Sequence, residues 1–241
     1  QEEGGDQPDP NTASGNTTGN KEEPTLGGYD VTEGFAELSI VPITGRDWAR
    51  WLEVTLAGRA VDYSSFGNKF TWKTGGLWRF MGGVAVRGTY STAFRAPSIG
   101  ELYEGVGDAF PNTSDPCDGA TDPIIRANCE ADLAEVTNGE VTLAEFSDGR
   151  TQILTRTGGN PNLTAETAKV WTAGMVYEPE FIEGLNMSVD YFNITIDDAL
   201  QPAGARVILG NCYSLVARGD CDKITRDPAT GLITRIIDVE T

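Results

Sequence analysis

GGVAVRGTYSTAFRAPSIGELYEG, residues 82–105, decides the fold class. Val84, Val86, Tyr90 and Phe94 stand at even positions, and Ala85, Arg87, Thr89, Ser91 and Arg95 at odd ones. A period of two is the mark of a strand with one apolar and one polar face. Arg95-Ala96-Pro97 then closes the strand. Proline brings no amide to the ladder and pushes the residue before it out of helical space. About a dozen residues is twice the usual strand length in globular sheets.

The same alternation recurs on both sides. It sets Ala36, Leu38 and Ile40 against Glu37 and Ser39, and Leu52, Val54 and Leu56 against Glu53, Thr55 and Arg59. Phe70 and Trp72 oppose Lys69, Thr71 and Lys73; Trp171, Ala173 and Met175 form a less regular set. In LNMSVDYFNITID, Met187, Val189 and Tyr191 share a parity that passes to Ile194 and Ile196, which predicts a bulge near Phe192 or Asn193. About eight such strands are expected in all.

The chain is therefore all-β, either a soluble sandwich with its apolar face inward or a membrane barrel with that face outward. Strand length favours the barrel. So do connections that alternate between short (PITGRDWAR, WRFMGG, EPEFIEG) and long, the longest near 96–165 and 201–224. Trp48, Trp51, Trp78, Phe80 and Phe181 lie beside short turns; Tyr63, Phe66, Phe70, Tyr90, Phe94 and Tyr191 lie toward the long loops. Two such belts fit two bilayer interfaces.

Composition narrows the function. The 241 residues hold 36 acids, 18 bases and no histidine, a net charge of −18. Nucleic acid needs a basic footprint and is excluded as a partner. Imidazole-based triads and zinc sites have no histidine to use. No run of 18 apolar residues offers a membrane helix, a test that β-barrel strands escape. Residues 1–27 carry six acids and one base, and residues 100–150 carry twelve acids and two bases. Those stretches read as acidic loops, either merely solvated or an acidic rim that gathers cations, on a nearly neutral scaffold. Residues 1–27, rich in Gly, Pro and Asn, are expected to be a loop or a disordered segment.

Two stretches resemble the TonB-dependent outer-membrane receptors. The first matches that family's Arg-x-x-Tyr-Ser-x-x-Phe-Arg-Ala-Pro-Ser-x-x-Glu-Leu pattern at Arg87, Tyr90, Ser91, Phe94, Arg95, Ala96, Pro97, Ser98, Glu101 and Leu102. The second, GGNPNLTAETAKVWTAGMVYEPEFIEGLNMSVDYF, is similar to its Gly-Asn-Pro-x-Leu-x-x-Glu stretch and Val-Asp-Tyr-Phe strand at Asn160, Pro161, Leu163, Glu166, Gly174, Asp190 and Tyr191. The resemblance covers roughly residues 28–241. It implies an antiparallel up-and-down transmembrane β-barrel segment, part of a barrel of about 22 strands. It places the long loops outside a Gram-negative cell and the short turns in the periplasm. It also implies partners: outer-membrane lipid, a small solute or metal chelate, and the TonB complex, reached through a plug domain that this stretch does not contain. The function implied is energy-coupled import of a scarce solute such as a ferric siderophore, cobalamin or an oligosaccharide. The rivals are a secreted β-sandwich binding module and a small structural outer-membrane barrel.

Cys117 with Cys129 and Cys212 with Cys221 are expected to form two local disulfides in external loops. Their spacings do not resemble a zinc knuckle. Asp115, Asp118 and Asp122 offer oxygen ligands for calcium, although the spacing is not that of an EF-hand. No acid–base pair with a supporting shell and no phosphate loop is present, so neither a cofactor nor an enzyme is expected.

Overall fold

The computed structural model describes residues 2–46 and 48–239. In chain order the elements are β1 (Glu2–Asp6), α1 (Pro10–Ala13), β2 (Thr25–Tyr29), β3 (Val31–Arg46), β4 (Ala49–Tyr63), β5 (Gly67–Arg79) and β6 (Val84–Arg95). There follow α2 (Ile99–Tyr103), β7 (Gly107–Ala109), α3 (Pro123–Val136), β8 (Thr155–Gly158), β9 (Glu166–Tyr177) and β10 (Met187–Asp197). The chain ends with α4 (Ala205–Tyr213), β11 (Ile224–Arg226) and β12 (Ile233–Val239). It folds as two compact units. The first contains Tyr29–Pro97 and Thr164–Leu200; the second contains Glu3–Gly28, Ser98–Leu163 and the chain from Gln201 onward.

The first unit is one antiparallel sheet in the order β3-β4-β5-β6-β9-β10, a meander in which neighbours in the chain are neighbours in space. Its strands run from 11 to 16 residues. Facing partners share a side of the sheet, so the register defines two surfaces. One carries the row Leu52–Trp78–Val86–Met175–Val189 and, two residues on, Val54–Gly76–Gly88–Ala173–Tyr191. The other carries Glu53–Leu77–Arg87–Gly174–Asp190 and Thr55–Gly75–Thr89–Thr172–Phe192.

The apolar surface has no second layer against it. Val189 is 72% exposed, Met175 50% and Leu56 46%, whereas Leu52, Val84 and Val86 are half-buried by neighbours on their own face. Buried hydrophobic side chains of this unit are few among the described residues: Ala49, Val61, Ala85 and Ala165, with Pro97 at the end of β6. A soluble sandwich would bury these rows between two sheets. Ten rises from Val84 to Phe94, at about 3.3 Å each and a tilt of about 40°, cover about 25 Å, the height of a barrel's apolar band.

Two expectations change. The wall has six strands among the described residues rather than about eight, because residues 224–239 pair with one another and with β8 instead of returning to it. β10 has no bulge: its ladder to β9 runs unbroken from Met187↔Tyr177 to Asp197↔Thr167. Phe192, Ile194 and Ile196 therefore share the face of Asp190. The irregularity lies in β3, between Ile40 and Ile43, around Pro42. A proline cannot donate to the ladder, and β3 borders the described sheet, where that loss is tolerated.

The second unit has the core that the first lacks. Leu133, Phe146, Ile153, Ile208, Leu209, Tyr213, Ile233 and Ile236 pack with both disulfides. Its sheet runs β11-β12-β8-β7, with β12 parallel to β8. Residues 1–27, expected to be a loop or a disordered segment, contain β1, the short helix α1 and the start of β2, which pairs with β1. Asp122 caps α3, its Oδ1 accepting from Ile124 N at 2.8 Å and Ile125 N at 3.2 Å, and Pro123 follows at the first turn.

Candidate functional site: the inward wall and the loop unit

The family-motif residues divide by face. Arg87 Nε and Nη2 donate to Asp190 Oδ1 at 2.9 Å and Oδ2 at 2.7 Å, crossing β9 above Gly174. A Cβ on Gly174 would stand 2.0 Å from Asp190 Oδ1, so this fork requires glycine beneath it. Arg95 makes a second fork to Glu166, at 2.8 and 3.0 Å, and Leu200 N donates to Glu166 Oε1 at 2.7 Å. Arg59 pairs with Glu33 on the same face.

Tyr90 and Tyr191 lie on the opposite, apolar face. Tyr90 packs on Trp72 with centroids 5.3 Å apart, and Tyr191 on Trp171 at 4.9 Å. Phe94 meets Tyr63 and Phe66 edge-on. At the short-turn end Trp78 stacks on Phe80 at 4.4 Å and donates from Nε1 to Trp48 O at 3.2 Å. Trp51 departs from its expected belt, because its Nε1 turns to Glu53 Oε2 at 3.2 Å. Pro97 ends β6. In the second unit Ser98 and Glu101 form a capping box on α2, and Asn160 N donates to Glu101 O at 2.8 Å, next to Pro161. These residues therefore hold strands and turns in place.

The inward face of the wall bears a cleft of about 430 Å³ lined by Arg50, Glu53, Thr55, Lys73, Gly75, Arg79, Arg87 and Thr89. The alternation already showed Lys69 and Lys73 on the polar parity of β5, which Arg79 shares, but the cleft emerges only once β4, β5 and β6 are in register.

In the second unit the disulfides join Cys117 to Cys129 and Cys212 to Cys221. Beside Cys117 lies a group invisible in the sequence. The Arg226 side chain is 1% exposed; its Nη1 and Nη2 donate to Asp115 Oδ2 at 2.6 Å and Oδ1 at 2.9 Å, and its Nε to Asp132 Oδ2 at 2.8 Å. Its guanidinium lies over the rings of Phe146 and Tyr213, 5.6 and 5.2 Å from their centroids. Burial works against the charge, but the bonds and attraction of Asp115 outweigh it and hold Arg226 above the usual arginine value. Burial also pushes the Tyr213 phenol well up.

Of the three candidate calcium ligands, two are engaged elsewhere. Both oxygens of Asp115 are bonded to Arg226, Asp122 caps a helix, and Asp118 is exposed. Among the described residues no three acids or cysteines are grouped to hold a metal ion.

A wall of long antiparallel strands, apolar outside and forked with ion pairs inside, is that of an outer-membrane β-barrel protein. The chain belongs to the family described as TonB dependent receptor-like, beta-barrel, whose profile matches residues 2–227. It is a family of transport receptors of the Gram-negative outer membrane, and that membrane is where this wall lies. Similar solved structures include the siderophore receptor PirA from Acinetobacter baumannii, 15% identical, with TM-score 0.50 over 90% of this chain and 24% of that one. A ferric enterobactin receptor (PfeA) variant from Pseudomonas aeruginosa, solved in complex with enterobactin, is 15% identical, with TM-score 0.53 over 90% of this chain and 22% of that one. The chain thus spans about a quarter of the length of these structures.

Proposed function

We propose that residues 1–241 supply part of the wall and outer loops of an active-transport receptor. It captures a scarce solute (a ferric siderophore, cobalamin or an oligosaccharide) and imports it with energy from the TonB complex. Residues 1–27, the connection near 96–165 and that near 201–224 form extracellular loops in this reading, and a plug domain elsewhere in the receptor couples the wall to TonB. The observation that carries it is the set of ion pairs that fork across strands on the inward face, in a chain of this family. A lipid-facing wall needs only its apolar side, and an inward polar face suits an aqueous passage.

The test is solute uptake by cells that carry the whole receptor. Uptake is expected to stop when TonB is removed or the inner membrane is de-energised. Uptake indifferent to both would leave a passive pore and sink the reading.

A further inference from the structure

We propose that the second unit holds a site for a neutral, hydroxyl-rich ligand, a sugar, in the cleft between residues 112–116 and α4. This goes beyond the transport reading, since it concerns binding alone and holds for an imported sugar and for a glycan of the cell surface. The cleft, about 510 Å³, lies within the usual size range of small-molecule sites. Its sides are fixed: Thr113 N donates to Thr151 O at 3.0 Å, Asp115 is bonded to Arg226, and Cys212 ties α4 to Cys221. A site fixed in advance loses little to ordering when a ligand arrives.

The lining is made of groups that both donate and accept. The hydroxyls of Thr113, Ser114, Thr151 and Ser214 and the amide of Asn112 line it, and none of these side chains has a hydrogen bond among the described residues. Each hydroxyl has one proton to give and two lone pairs to fill. A sugar hydroxyl answers both, whereas an ionised carboxylate only accepts. Arg206 adds donors: it has no ion pair among the described residues, and its Nη2 donates to Asn112 O at 3.3 Å. Leu209 and Pro116 supply an apolar patch for the C–H face of a sugar ring.

No carboxylate lines the cleft. The unit as a whole has 22 acids and nine bases, and its field opposes the approach of an anion. A single arginine in such a field does not make an anion site, and the neutral donors and acceptors decide the ligand. Gly210 also lines the cleft, and a Cβ built on it would meet nothing within 4 Å. A larger side chain there would therefore fill the cleft without disturbing α4.

The experiment uses the purified whole receptor in a detergent without a sugar headgroup. The probes are maltotriose, cellotriose and mannotriose, with trigalacturonate as an anionic trisaccharide of the same length. At least one neutral probe is expected to bind, about tenfold more tightly than trigalacturonate. Gly210→Leu is expected to weaken that binding by about tenfold or more, and Thr151→Val with Ser214→Ala by about tenfold through two lost hydrogen bonds. Protease resistance of the loop unit shows that each variant has folded. Binding of no neutral probe, binding that survives Gly210→Leu, or trigalacturonate bound as tightly overturns the site. Energy-dependent uptake of the bound probe marks an imported solute, and binding without uptake marks a surface glycan; both leave the cleft standing. TonB-dependent uptake of any solute scores the transport reading separately, so the two can fail independently.

Discussion

Arg226 holds together pieces of chain that lie far apart in sequence, since Asp115 is 111 residues away and Asp132 is 94. Arg226→Met would leave Asp115 buried and uncompensated, at a cost of about 3–5 kcal/mol. Adding Asp115→Leu removes the stranded charge and should recover much of that loss; urea unfolding of the loop unit, followed by protease resistance, would show it. Asp148 is buried, and its hydrogen bonds from Arg150 hold its carboxyl below the usual range. Its folded value lies beneath the unfolded one, so the stabilisation is complete above the ordinary carboxylate value and fades as pH falls through the depressed one. Protease resistance of the loop unit should therefore hold from pH 7 down to about 4 and decline below it. Gly174→Ala would push a methyl into the Arg87–Asp190 fork, costing about 1–3 kcal/mol and lowering the temperature at which the folded barrel band disappears from a gel.

β10 offers the sharpest test of facing. Val189 and Ile194 lie five residues apart on opposite sides of an unbroken ladder. Val189→Lys should cost about 2–4 kcal/mol near mid-membrane and reduce assembly into liposomes, while Ile194→Lys, turned inward, should be tolerated. Equal damage from both would mean that the shared face of Asp190 and Ile194 is wrong. The sequence makes the long strands legible because a period of two survives without tertiary context, and β6 reads correctly from Val84 to Arg95. On β10 the same signal misleads, because Ile194 and Ile196 carry apolar character onto the inward face and imitate a bulge. The second unit was scarcely legible beyond its cysteines. Its parallel pair joins β8 to β12 across some eighty residues, and nothing local in TRTG or ITRIIDV names the partner. The Arg226 group stayed hidden for the same reason, since its acids and rings come from four separate stretches.

At the scale of the molecule, the wall ends at β3 and β10 among the described residues, each with one row of backbone groups unpaired there. In hydrocarbon every such group costs several kcal/mol. Residues 1–241 expressed alone are therefore expected to aggregate or to need detergent; heat-modifiable migration with ion conductance in a planar bilayer would show instead that they close on themselves. The placement of the aromatic rings has an optical consequence. Trp48, Trp51, Trp72, Trp78 and Trp171 all belong to the wall, and the second unit has tyrosine but no tryptophan. Light at the long-wavelength edge of protein absorption, which indole takes up and phenol does not, is re-emitted by the wall alone. Its emission colour would follow insertion into lipid while staying silent on the loop unit, and so reports the melting of the wall by itself in an unlabelled sample.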